Sequence, residues 1–193
     1  MAMLSNAFCK TRGPVLIGFL LSFLLMGFAS LEANALPPEW KASFARELRF
    51  GVQQAYPYVW GGRGMDKPVY DTKAKKMARG FDCFSYVWKS ATDAGIFGVN
   101  IVRSRDAAEG KGGWTGKDIT LDEVDDTDLG FVDWNDGPGY VEHMGAFGMD
   151  EKSGLMKFQH ASTGRRHVLS DPFSMLEPLG KWRFRRLTIG DPK

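Results

Sequence analysis

Gly80-Phe81-Asp82-Cys83-Phe84-Ser85-Tyr86-Val87 is the stretch from which the 193-residue chain is best read. Asp82 to Ala94 has helical character. Phe84, Val87, Trp88 and Ala91 recur at i, i+3, i+4 and i+7, which gives one apolar stripe. Asp82 is a natural N-cap and Gly95 a natural stop, so the spacing makes Cys83 the first helical residue. A thiol at a helix N-terminus lies among unpaired N–H groups and partial positive charge, which lower its pKa. Cys83 therefore reads as a nucleophile. A buried core thiol is the competing reading.

The cysteine count sharpens this. The chain holds two, Cys9 and Cys83. Residues 1–35 have the order of an export signal: basic Lys10 and Arg12, a charge-free and mostly apolar run from Pro14 to Ser30, and small residues at Ala33-Asn34-Ala35. Cleavage before Leu36 is expected, and an uncleaved N-terminal membrane anchor is the alternative. Cys9 lies before the apolar run, which is the wrong place for a lipoprotein signal. The mature part, 36–193, then carries one thiol into an oxidising compartment, where it cannot form an internal disulfide. Composition is ordinary globular, 44% hydrophobic and 25% charged. The net charge of +2 gives no reason to expect a nucleic-acid partner.

Glu39 to Ala55 reads as an amphipathic helix, with Trp40, Phe44, Leu48 and Val52 on one face and Pro37-Pro38 just before it. Tyr58-Val59-Trp60-Gly61-Gly62 ends in a glycine pair that marks a turn or a close backbone approach. The basic segment from Arg63 to Arg79 reads as a surface loop with a short strand near Val69-Tyr70, and Asp118 to Asp128 as an acidic loop. Strand patterns follow over Asp128–Trp134, Glu142–Met149, Leu155–Ala161, Arg166–Leu169 and Leu179–Ile189. Turn signals separate them at Asn135–Gly139, Asp150–Gly154 and Ser162–Gly164. Helices first and hairpin-linked strands later predict an α+β fold with an antiparallel sheet.

Three histidines accompany Cys83: His143, His160 and His167. His143 falls at the start of one predicted strand and His160 near the end of the next, so a hairpin can bring them together at one end of the sheet. Near neutral pH a free thiol is mostly protonated. A neighbouring imidazole takes its proton, and a third polar group fixes that imidazole. Cys83, His143 and His160 have the side chains for these roles in that order. Each histidine alone also fits a structural or surface role. Zinc is a competing use of the same side chains, but the sequence has no CxxC or HExxH spacing, and no metal or cofactor is expected.

Tyr58-Val59-Trp60-Gly61-Gly62, Gly80-Phe81-Asp82-Cys83, His143-Met144-Gly145-Ala146-Phe147 and His160-Ala161-Ser162-Thr163 together resemble the NlpC family of bacterial cell-wall cysteine peptidases. Those enzymes carry Y-x-x-G-G, D-C-S-G, H-V-G and H-A segments in this order. Thr127-Asp128-Leu129-Gly130-Phe131-Val132 looks like their G-D-L strand, with threonine where glycine is usual, and Val102-Arg103-Ser104 looks like their P-R-T/S segment. The resemblance implies a papain-like fold and hydrolysis of peptide bonds in peptidoglycan stem peptides. It implies Cys83 as nucleophile, His143 as general base and His160 as the orienting member. Tyr58, Asp82 and Arg103 would contact substrate. Phe84-Ser85 replaces the usual Ser-Gly, which bears on substrate preference.

The expected protein is an exported, periplasmic or cell-wall-associated cysteine endopeptidase with a papain-like α+β domain. A related amidase or acyltransferase, and a catalytically inactive cell-wall-binding module, are the alternatives on the same fold. The leader sets it apart from an injected toxin.

Overall fold

The computed structural model describes residues 35–134 and 141–188. The segment up to Asn34 that the sequence predicts to be an export signal, the predicted Asn135–Gly139 turn and Ile189 of the last predicted strand lie outside the described residues. Among the described residues no helix is long and apolar enough to cross a membrane.

The fold has helices on one side of an antiparallel sheet. Helix α1 (Pro38–Gln54) carries prolines at its start, where the first N–H groups have no helical partner anyway. It ends at Ala55, in the left-handed region with φ of 46°. Phe44 and Leu48 are fully buried, and Trp40 and Val52 flank them half-buried, as the four-residue step predicts. Helix α2 (Cys83–Asp93) begins at the expected cap: the Asp82 carboxylate accepts the Ser85 N–H at 2.7 Å, and the Ser85 hydroxyl accepts the Asp82 N–H at 3.0 Å. The two helices are tied where the Tyr86 hydroxyl donates to Leu48 O at 2.5 Å. Gly51 makes this possible, since a Cβ there would lie 2.5 Å from the Tyr86 ring.

Residues 63–81 correct the sequence reading. They form a hairpin of β1 (Arg63–Asp71) and β2 (Lys76–Phe81), paired Tyr70 to Met77 and Asp71 to Lys76; the short strand expected near Val69-Tyr70 lies within β1, and the rest of the expected loop is strand as well. Lysines and arginines hid the strands because the hairpin is mostly exposed and its buried tip residue is the polar Asp71, so no apolar alternation marks it. The turn is closed by the buried Asp71, whose Oδ1 accepts the Lys73 and Ala74 N–H groups at 2.9 Å each.

The short helix α3 (Ser104–Ala108) leads to β3 (Gly116–Ile119), a strand absent from the sequence reading. β4 (Leu129–Asp133), β5 (His143–Met149), β6 (Met156–Ser162), β7 (His167–Pro172) and β8 (Lys181–Leu187) complete a six-stranded sheet in the order β3-β8-β4-β5-β6-β7. A four-residue helix α4 (Phe173–Leu176) precedes β8. Every pairing in this sheet is antiparallel.

One sheet face, with Met144, Ala146, Ala161 and Val168, packs on Phe44, Leu48, Phe84 and Val87 of the helices. Each fully buried side chain of this size contributes about 1.5–3 kcal/mol. On the other face Phe147, Phe158 and Phe184 form a second apolar cluster with Phe173 of α4. Phe84 belongs to the core, with its ring 5.4 Å from that of Trp114.

Three backbone positions, Gly62, Gly80 and Thr127, decide local geometry. A Cβ on Gly80 would lie 2.2 Å from Pro57 O, and one on Gly62 would lie 2.5 Å from Gly80 O, so both motif glycines serve a backbone-to-backbone approach. Buried Thr127, where the resembling pattern has glycine, has φ of 73°. A β-branched residue in that region is strained by about 1–3 kcal/mol. Gly80→Ala is expected to lower unfolding stability by about 1–3 kcal/mol in urea titrations. Thr127→Gly is expected to raise it by about 1 kcal/mol, which corresponds to about 2–4 °C in melting temperature. An unchanged or lowered melting temperature in Thr127→Gly would refute the strain assignment.

Candidate active site

Cys83 is the first residue of α2, and its thiol is free and partly buried. Burial, and next the negative charge of Asp82, push the thiol pKa up to about 11. Hydrogen bonding to the Met144 N–H, the Ser104 hydroxyl (Sγ to Oγ 3.9 Å) and the Phe84 N–H opposes that rise without overcoming it. The Met144 contact seats the sulphur against β5, one residue from His143. The expectation that the helix terminus alone leaves a low thiol pKa is therefore corrected. Burial outweighs the partial charges of the N–H groups.

The histidines are placed by register. β5 and β6 pair Ala146 with Gln159, so His143 and His160 lie diagonally on one face of neighbouring strands. Their rings meet, His143 Nε2 to His160 Nδ1, at 2.7 Å. A Cβ on Gly145 would lie 2.9 Å from His160 Cβ, so a glycine two residues after His143 leaves room for the second imidazole. Both rings are buried among aromatic neighbours, with Phe158 at 5.1 Å from the His160 ring and Trp134 at 6.1 Å from the His143 ring. Burial, helped by His160, lowers the His143 pKa to about 3. His160 Nε2 in turn lies 3.2 Å from Asp171 Oδ2. Sequence reasoning missed Asp171: it stands eleven positions beyond His160 and reaches it only through the β6–β7 register. His167 faces the Arg165 carbonyl at 2.7 Å and takes no part in this cluster.

Tyr58 is held by an irregular segment. Its N–H donates to Arg166 O at 2.8 Å, and its neighbours bond to β2 through Val59 N–H to Phe81 O and Phe81 N–H to Pro57 O, both 2.9 Å. Burial pushes the phenol pKa up to about 12; the Thr163 hydroxyl bond opposes this, while the nearby Cys83 and Asp82 add to it. The phenol thus stays protonated and able to donate. Burial also raises the Asp82 pKa, against the Ser85 bonds and the Arg63 charge that lower it.

Cys83, Tyr58, Asp82 and Arg103 line one groove of about 360 Å³, together with Trp60, Arg63, Ser104 and Glu142. Lys73 at the hairpin tip sits 4.3 Å over the exposed Trp60 ring, a cation–π contact at the groove edge. His143 and His160 line a separate groove of about 640 Å³ with Trp134, Thr163, Arg165 and Asp171. Of two consecutive residues, Glu142 lines the first groove and His143 the second. Among the described residues, no group of three or more His, Cys, Asp or Glu side chains is arranged to hold a metal ion.

The fold has known structural counterparts. The peptidoglycan hydrolase RipB from Mycobacterium tuberculosis superposes with a TM-score of 0.57 at 18% identity, over 88% of this chain and 80% of that one. RipD from the same organism, a non-catalytic NlpC/p60 domain protein adapted to peptidoglycan binding, gives 0.54 at 15% over 78% and 98%. The P60 domain of an M. avium subspecies paratuberculosis antigen gives 0.54 at 22% over 78% and 98%. No protein-family model matches the chain, and no curated protein sequence matches it. The chain therefore has the papain-like α+β fold of the NlpC/p60 domain proteins.

The low His143 pKa carries a signed consequence for stability. In the unfolded chain this imidazole protonates near pH 6.5, and in the folded chain only near pH 3. Between those values the unfolded state binds the extra proton, so stability falls as pH falls. The depressed Asp171 pKa, caused first by its hydrogen bond from His160, acts in the same direction at lower pH. Urea unfolding should show the wild-type protein losing about 1 kcal/mol between pH 6 and pH 5. His143→Gln should lose that slope, and a slope that persists in this variant would refute the assignment.

Proposed function

We propose that this protein is an exported cysteine endopeptidase that hydrolyses peptide bonds in peptidoglycan stem peptides. The observation that carries the reading is the His143–His160 pair beside the β5 residue that contacts the Cys83 sulphur. It is supported by the fold shared with a peptidoglycan hydrolase and by the ordered sequence motifs. The Cys83 sulphur attacks the scissile carbonyl as its proton passes to His143. The Cys83 backbone N–H and the protonated Tyr58 hydroxyl stabilise the oxyanion. His143 then protonates the leaving amine and activates the water that releases the acyl group. His160 orients His143. Asp82, Arg103 and Arg63 meet the charged ends of the stem peptide in the groove. Residues 1–35 serve as the export signal or, if retained, as a membrane tether, which places the domain in the periplasm or at the cell wall.

A second reading is a non-catalytic peptidoglycan-binding module. The raised Cys83 pKa favours it, and a structural neighbour of that kind exists. The first reading is preferred because a neutral nucleophile is no bar to attack when a buried base stands by. Serine hydrolases work from a hydroxyl that is far weaker as an acid.

Purified muropeptides incubated with residues 36–193 should be cleaved at a stem-peptide amide, with products read by mass spectrometry. Cys83→Ala should lose at least about a thousandfold in rate. Equal cleavage by Cys83→Ala would refute the nucleophile. Retained sacculus binding without cleavage by the wild-type protein would establish the binding module.

A further inference from the structure

We infer that Asp171 is a positioning residue that sets the tautomers of both histidines and leaves His143 Nδ1 unprotonated. The inference rests on the proposed Cys–His chemistry for its use, though not for its geometry. Three side chains run diagonally across β5, β6 and β7 on one sheet face: His143, His160 and Asp171. The contacts are His143 Nε2 to His160 Nδ1 at 2.7 Å and His160 Nε2 to Asp171 Oδ2 at 3.2 Å.

An ionised carboxylate only accepts hydrogen bonds. The proton in the His160–Asp171 contact therefore sits on His160 Nε2. In neutral imidazole the other nitrogen is then bare, so His160 Nδ1 accepts. The proton in the 2.7 Å contact must come from His143 Nε2. Neutral His143 then carries no proton on Nδ1. Each bond along the row fixes the next, and the one ring nitrogen without a partner in this row is the one that must act as base.

In the proposed reaction the Cys83 S–H bond breaks as the His143 Nδ1–H bond forms, and the sulphur electron pair adds to the carbonyl carbon. The resulting imidazolium keeps its Nε2–H on His160 Nδ1, so no proton needs to move further along the row. If His160 carried its proton on Nδ1 instead, it would donate to His143 Nε2. The His143 proton would then be on Nδ1, where it blocks the transfer.

Other charges facing Asp171 are those of Arg165 and His167, from the turn before β7 and from β7 itself. Both favour the ionised carboxylate. Asp171 lies at the groove that holds the histidines and is partly exposed, so its replacement leaves no large cavity.

The chain has three histidines, which makes the imidazole nitrogens directly readable. Long-range ¹⁵N–¹H correlation spectra of residues 36–193 labelled in histidine, recorded at pH 8 and assigned with His167→Gln, should show His143 and His160 both protonated on Nε2. Asp171→Ala and the near-isosteric Asp171→Asn should convert one or both rings to a mixture or to the Nδ1–H form, and Asp171→Glu should return the wild-type pattern. His160 protonated on Nδ1 in the wild type, or an unchanged spectrum in Asp171→Ala and Asp171→Asn, would overturn the inference. On muropeptides, Asp171→Asn should lose at least about tenfold in kcat with KM within about twofold. Wild-type kcat in Asp171→Asn would also overturn it. If the wild-type protein cleaves no muropeptide, the proposed function fails, and the spectra still decide the tautomers.

Discussion

The segment from Tyr56 to Gly62 is hydrogen-bonded on both sides, and the site depends on that. On one side Val59 and Pro57 bond to Phe81 at the end of β2. On the other, the Tyr58 N–H bonds to Arg166 O and the Val168 N–H to Tyr56 O at the start of β7. The first set holds the strand that runs into Asp82 and Cys83. The second holds the edge of the sheet that carries the histidines. Gly62 accepts the Ser85 hydroxyl at 2.5 Å, so the cap of α2 is fastened to the same segment. Because neither Gly62 nor Gly80 carries a Cβ, the backbones approach closely enough for one short segment to register the thiol against the sheet.

This explains why some of the sequence was legible and some was not. Helices α1 and α2 announce themselves through apolar side chains at steps of three and four, with the Asp82 cap fixing the start of α2. Strands β5 and β6 are legible because the Asp150–Gly154 turn separates two apolar runs, and that register is enough to bring His143 and His160 together. The β1–β2 hairpin was not legible, because its tip exposes Tyr70, Met77 and several lysines with little alternation. β3 was hidden in polar sequence because it is an edge strand. There Arg185 of β8 donates to Gly116 O at 2.9 Å, and Arg183 pairs with Asp118 at 2.7 Å. Asp171 was invisible for a related reason: nothing local marks an aspartate near the end of a half-exposed strand as the partner of a buried imidazole.

Two departures from the resembling pattern have physical readings. Phe84 follows the nucleophile candidate where serine is usual, yet its ring is buried against Trp114 and helps to anchor the first turn of α2 in the core. The hydroxyl that matters to the helix start is instead Ser85, which closes the cap and bonds to Gly62. Thr127 keeps a positive φ that glycine would adopt freely. Its N–H donates to Phe147 O at 2.9 Å, and the Phe147 N–H donates to Asp128 O at 2.8 Å. Asp128 is in turn paired with Arg186 at 2.8 Å. The surrounding bonds over-determine the conformation, which is how a strained threonine persists at that position.

The shifts of thiol and imidazole together constrain how the proposed chemistry can start. Burial moves the two pKa values apart, with the thiol at about 11 and His143 at about 3, so both groups are neutral at pH 7. With both groups neutral, a resting thiolate–imidazolium pair is not the favoured state at pH 7. In the proposed reaction proton transfer accompanies attack on the carbonyl rather than preceding it, because with these pKa values charge separation is favourable only once the negative charge has passed to an oxyanion that donors stabilise. That requirement gives weight to two groups otherwise peripheral to the sulphur. Tyr58, kept protonated by burial, has a hydroxyl proton to donate to the proposed oxyanion. Asp171 supplies the fixed negative charge at the far end of the histidine row, against which an imidazolium on His143 is less costly to form. A buried thiol and a buried imidazole are thus compatible with catalysis on this fold, provided the developing charges meet those two groups.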